Sequence, residues 1–259
     1  MAKTPSSFAA RPPLFYHTPT LLRFHEHRQF GLHPQASSLF AAEAAAIPLV
    51  AAEFVQAQRH YPIVFASNEE AMPLAVTGLI AGRNLFVEAD GAWASGFYVP
   101  GYVRRYPFIS MAPDAGGATM LGLDMASARV SPDALREGAD PLFTDDGKPT
   151  QVASAAMAFC DAYALDYERT RAFAAALTLQ GLLVERAARI KRPDGEEQVV
   201  QGFRLIDEAA FRALPQDVLA EFHARGWLDL IVLHLAAQTR WLGLLERAEG
   251  LAKTASALN

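Results

Sequence analysis

From Val152 onward the apolar residues of this chain change their spacing. Val152, Ala155, Ala156, Phe159, Tyr163 and Tyr167 recur three and four apart, which sets them on one helical face. The period continues through Phe173 and Leu177 and stops near Gly181, a residue type that readily ends a helix. Before this switch the rhythm is that of strands. Between 47 and 110, "IPLVAAEF", "YPIVFAS", "MPLAVTGLI", "LFVEAD" and "FYVP" are short β-branched or aromatic runs separated by turn residues, and "ATMLGLDM" adds another. Pro48, Pro62, Pro73, Pro100 and Pro107 stand at or near the starts of runs, where a missing backbone donor is tolerated.

The remainder reads as "SPDAL" opening a short helix within a polar stretch 127–149, then a β-hairpin, "LLVERAARI" and "QVVQGFRLID", around Asp194-Gly195. Asp207 caps "EAAFRAL", Asp217 opens "VLAEFHARG" with Gly226 as its stop, and one last helix covers "WLDLIVLHLAAQTRWLGLLERAEGL". The fold class is therefore α+β, a strand-rich N-terminal half packed with a helical C-terminal half containing one β-hairpin. Residues 1–19 read as an extended arm, which Phe8, Leu14, Phe15 and Tyr16 would dock on the body. Residues 20–250 form the main domain, either continuous or divided into two lobes near 127–149, and 251–259 are a tail.

Composition narrows the function classes. The 259 residues carry a formal net charge of −5 without a basic run, which speaks against nucleic acid or an anionic membrane as the main partner. The single cysteine, Cys160, forms no internal disulfide or multi-cysteine metal site. No apolar stretch reaches the roughly 20 residues that span a bilayer, and no secretory leader is evident, so a cytoplasmic location is expected. No phosphate loop, nucleophile elbow, H-E-x-x-H or dinucleotide fingerprint occurs, and no cofactor is expected.

Some residues could still carry chemistry. His25 and His27 in "FHEHR" would face the same side of a strand and could share a metal ion, although solvated or hydrogen-bonded imidazoles are the simpler reading. Cys160 lies in the helical apolar face beside Asp161 and reads as a packing residue. His234 in "DLIVLHLAA" is a core histidine unless its ring meets a carboxylate or tyrosine. "TDDGK" at 144–148 reads as a turn.

The richest stretch is "YVPGYVRRYPFIS", residues 98–110. Read as a strand bent at Pro100-Gly101, it would show Tyr102, Arg104 and Tyr106 on one side and Val103 and Arg105 on the other. Its arginines could pack on rings or pair with Glu88 or Asp90, could hold an anion in a cleft, or could anchor a protein interface together with the tyrosines.

"IPLVAAEFVQAQRHYPIVF" followed by "NLFVEADGAWASGFYVPGYVRRYPF" resembles the SapC family of bacterial proteins, named for an S-layer-associated protein. "PLFTDDGKPT", "QGFRLIDEAAFRALP" and "LDLIVLHL" extend the resemblance over about residues 20–247. It implies a link to surface-layer biogenesis, and to loci holding TonB-dependent outer-membrane receptors and flavin-dependent halogenases. It attaches no reaction. The unrelated SapC permease of peptide transporters does not fit a chain without a membrane span. In "LHLAAQTRW", Ala237 and Arg240 stand where the family tends to carry polar Ser and Asn. The reading favoured is an accessory protein that binds a peptide or protein client of the cell surface: a surface-layer protein, a receptor or a halogenase. The alternative is a peptide-modifying enzyme drawing on Glu53, Tyr61, Arg104 and His234.

Overall fold

The computed structural model describes residues 12–34, 37–112, 119–191 and 197–257. Its strands are β1 (Pro19–Leu21), β2 (Gly31–Leu32), β3 (Ala46–Pro48), β4 (Ile63–Ala66), β5 (Pro73–Val76), β6 (Phe108–Met111), β7 (Met120–Asp124), β8 (Val130–Ser131), β9 (Asp140–Pro141), β10 (Leu183–Lys191) and β11 (Glu197–Ile206). Its helices are α1 (Phe24–His27), α2 (Phe54–Ala57), α3 (Gly101–Arg105), α4 (Ala134–Glu137), α5 (Gln151–Leu179), α6 (Glu208–Arg212), α7 (Gln216–Ala224), α8 (Trp227–Ala237) and α9 (Arg240–Ala257). The chain is α+β, with many short antiparallel strands in its first half and the long helices in its second.

The chain divides into two compact units, Met1–Ala36 with Arg105–Ala162, and Ser37–Arg104 with Tyr163–Asn259. The polar stretch 127–149 lies wholly within the first. That unit holds two three-stranded sheets, ordered β1-β7-β6 and β8-β2-β9. Leu22, Leu32, Phe108, Leu121, Leu123, Leu142, Ala153 and Cys160 form its buried cluster. Of the apolar residues expected to dock the arm, Phe15 and Tyr16 are buried and Leu14 is exposed, while Phe8 lies outside the described residues. A buried carboxylate holds the arm in place. Asp124 accepts from the backbone N–H of His17 (3.1 Å) and Thr18 (2.6 Å) and from the Tyr106 hydroxyl (3.1 Å), and the Tyr16 hydroxyl donates to the Phe108 carbonyl at 2.5 Å.

The second unit holds the five-stranded antiparallel sheet β10-β11-β4-β5-β3. Its core includes Phe54, Tyr61, Phe65, Phe86, Phe173 and Phe222. The predicted hairpin is β10 and β11; its tip, including Asp194-Gly195, lies outside the described residues. Asp207 caps α6 by accepting from the Ala209 and Ala210 N–H groups, and Asp133 caps α4 in "SPDAL".

Several expectations need correcting. "IPLVAAEF" is a strand only as far as Pro48; a 3₁₀ turn, Ala51–Glu53, and α2 follow, because the Glu53 side chain folds back on the Val50 N–H. "LFVEAD" makes only an isolated bridge, Val87 to Trp93, and "FYVP" is not a strand. The helical face of α5 has a different phase: Ala153, Cys160, Tyr163, Thr170, Phe173, Ala174 and Leu177 are buried and Ala155 is exposed. The last helix is two, turning by 40° between α8 and α9. Gln238 at the break donates to the Ile63 carbonyl (2.8 Å) and accepts from the Trp241 indole (3.1 Å), so its side chain is fixed by tertiary partners. The expected tail continues α9 as far as Ala257. Among the described residues no single helix is long and apolar enough to cross a membrane.

Candidate functional site

In the second unit, Glu53 closes the 3₁₀ turn Ala51–Glu53 and turns its carboxylate inward, leaving 6 % of the residue exposed. Thr170 of α5 fixes the start of that turn, its hydroxyl accepting from the Ala51 N–H at 2.7 Å. Glu53 Oε2 accepts from the Val50 N–H (3.0 Å), and Oε1 from the Gly101 N–H (2.5 Å) and the Tyr98 hydroxyl (2.8 Å). A Cβ at position 101 would lie 3.2 Å from Oε1 and 3.4 Å from the Tyr163 ring, so the close approach of backbone to carboxylate favours glycine there.

Tyr98 is the hub. Its hydroxyl donates to Glu53 and accepts from Arg104 Nη2 at 3.1 Å. Arg104 Nε donates to the Val99 carbonyl at 3.1 Å, and the guanidinium carbon stands 5.6 Å from the Tyr98 ring centre. The Tyr98 carbonyl accepts from the Tyr61 hydroxyl, which in turn accepts from the Trp93 indole at 3.1 Å. Glu53, Tyr61 and Arg104, distant in sequence, thus converge on one residue that the sequence reading did not single out. The connection depends on a loop returning 45 residues after Glu53, and no local pattern carries it.

Burial pushes the Glu53 carboxyl above its ordinary range, while the Val50 and Gly101 amides, the Tyr98 hydroxyl and the Arg104 charge pull it back. Burial likewise raises Tyr98 to about 12, helped by Glu53, and raises Tyr61 well above the usual phenol range. Both phenols therefore remain protonated donors at neutral pH.

The family comparison belongs to this geometry, since Glu53, Tyr61, Tyr98 and Arg104 all fall within the segment, residues 22–244, that matches the SapC family model. The chain belongs to the SapC family. No curated protein and no solved structure matches it.

In this SapC-family chain the stretch 98–110 is not a bent strand. Residues 101–105 form α3, and β6 starts only at Phe108, after a cis Tyr106-Pro107 bond. The expected alternation of side chains fails for that reason. Tyr102 and Tyr106 are buried: Tyr102 packs 6.3 Å from the Tyr163 ring, and Tyr106 bonds Asp124. Arg104 is exposed. Arg105, assigned to the first unit, is half-buried, its guanidinium 5.6 Å from the Tyr16 ring centre. The acids proposed as partners are engaged elsewhere, Glu88 with Arg247 at 3.0 Å and Asp90 with the Ala92 N–H at 2.9 Å.

His234 does not join the Tyr98 network through any described hydrogen bond. It is fully buried, 5.1 Å from the Phe65 ring and 3.4 Å from Gln238 Nε2, and its Nδ1 has no hydrogen-bond partner among the described residues. Burial lowers it to about 3, so it is neutral at physiological pH. Ala237 is core and Arg240 exposed.

His25 and His27 lie on helix α1, where residues two apart point in roughly opposite directions, about 200° around the axis. His25 is exposed; His27 is buried, its Nδ1 accepting from the Arg23 N–H at 3.1 Å. They share no side, and no cluster of three metal-ligating side chains occurs among the described residues. Cys160 is buried, and burial raises its thiol to about 11, which suits a packing role. "TDDGK" is a turn closed by Thr144, whose hydroxyl donates to Asp146 at 2.5 Å.

Proposed function

We propose that the protein is an accessory factor that recognises a peptide or protein client of the cell surface, working in the cytoplasm, with Arg104 as a contact residue. The observation that carries this reading is the exposed guanidinium of Arg104, whose direction is set by Tyr98 and the Val99 carbonyl on a base locked by Glu53. A planar fork already oriented can meet a client carboxylate or phosphate without first losing much side-chain freedom. SapC family membership supports the surface link. The peptide-modifying alternative has less support. Glu53 and Tyr61 are buried within the network, and His234 is a neutral, fully buried imidazole, poorly placed to exchange protons with a substrate.

The test is capture of outer-membrane receptor or surface-layer proteins from the native bacterium by the wild-type protein and by Arg104→Ala. The wild type is expected to retain such a client, and the variant to hold it about tenfold more weakly, the scale of losing one charge-assisted contact. Equal capture by both, or capture of no surface protein, overturns the reading.

A further inference from the structure

The first unit brings together two motifs singled out in the sequence, "FHEHR" and "PLFTDDGKPT". Phe24 of α1 and Phe143, just after β9, meet edge-to-face with ring centres 5.7 Å apart. The two rings line a concavity on either side. One, of about 370 Å³, is apolar, with Leu22, Leu121, Met120, Ala153 and Met157 in its walls. Met120 and Met157 are unusually exposed for their type, at 37 % and 38 %, and methionine adapts its shape to varied apolar partners. The other, of about 530 Å³, is mixed in character, and Arg28, Asp133 and Asp145 line it together with Leu135 and Pro141. Asp133 caps α4, whereas the Asp145 carboxylate has no ion-pair or hydrogen-bond partner among the described residues.

We propose that this double groove binds an extended peptide segment carrying a large apolar side chain and, two residues later, a lysine or arginine. In an extended chain, side chains i and i+2 point the same way about 7 Å apart, so the two can enter neighbouring cavities that share the Phe24 and Phe143 walls. The apolar side chain fills the methionine-lined cavity. The basic one enters the other, where two carboxylates outnumber one guanidinium and Asp145 is available as its partner. This rests on the reading of the protein as a peptide or protein binder and supplies a client chemistry for it.

The test uses three synthetic peptides, acetylated and amidated: Thr-Leu-Thr-Lys-Thr, Thr-Leu-Thr-Glu-Thr and Thr-Ser-Thr-Lys-Thr. Each is titrated by calorimetry into the full chain, into Asp145→Lys, and into Met120→Glu with its fold checked by circular dichroism. The Leu/Lys peptide is expected to bind the wild type at least about tenfold more tightly than the other two, and to lose about tenfold on each variant, as a like charge or a carboxylate in an apolar pocket would impose. Asp145→Lys lies on an exposed turn and keeps the test valid should Met120→Glu fail to fold. A preference for the Glu peptide, indifference to the leucine, or binding unchanged by Asp145→Lys overturns the proposal. So does an absence of peptide binding; surface-protein capture that persists then leaves the broader function standing, and loss of both removes the two together.

Discussion

At the scale of single residues, two buried groups show how burial and partnership combine. Burying the Glu53 carboxylate is costly, but the donors around it offset that cost, and it serves as a junction between the turn at Val50 and the loop at Gly101. His234 has the burial with one polar contact, Gln238 at its Nε2, and none at its Nδ1 among the described residues. Its folded-state value near 3 lies below the ordinary 6.5, so the unfolded chain takes up a proton over that window and the folded chain does not. The stability contribution of a neutral His234 is therefore complete above about pH 6.5 and declines as the pH falls towards 3. His234→Leu should remove that dependence: between pH 7 and pH 4 its stability should improve by about 2–3 kcal/mol relative to wild type, read from urea melts at both values. An unchanged difference would mean that the ring reaches solvent or a partner at low pH. The sequence made Glu53, Tyr61, Arg104 and His234 candidates by residue type alone. It could not reveal that three of them share Tyr98, because hydroxyl and guanidinium partners are chosen by where loops return.

At the scale of elements, period and punctuation were legible where a segment is long or its ends are chemically marked. The 29-residue α5, the hairpin β10–β11 and the Asp207 cap all follow from local signals. Failures came where tertiary bonds override a local pattern. "YVRRY" has strand propensity, yet Gly101 donates to Glu53 and the chain coils into α3. "LHLAAQTRW" contains no helix breaker, yet Gln238 reaches β4 and the axis turns. Gln238→Ala should leave the Ile63 carbonyl and the Trp241 indole short of a partner, costing about 1–3 kcal/mol in a denaturant melt. A variant as stable as wild type would show that the bend has another origin.

At the scale of the whole molecule, fold class was legible and the division into units was not. Spatial grouping depends on long-range pairing, which composition shifts do not record. The first unit is assembled from two separated stretches, and Asp124 ties the arm in the first to β7 in the second. Asp124→Ala would strand the His17 and Thr18 amides and remove the Asp124 bond of the Tyr106 hydroxyl. It is expected to cost about 2–4 kcal/mol and to open the arm to limited proteolysis, which mass spectrometry of the cleaved ends would record. Cleavage elsewhere at unchanged rates would remove Asp124 from that role.

The order of the five-stranded sheet has a consequence for biosynthesis. β4 emerges early, but one flank of it pairs with β11 through Ala66 and Phe203, roughly 140 residues later. At ordinary translation speeds the nascent chain carries an open, apolar β-edge for about ten seconds or more. During that interval the finished fold does not yet cover the edge, and the ribosome-bound chain is open to pairing with a neighbour.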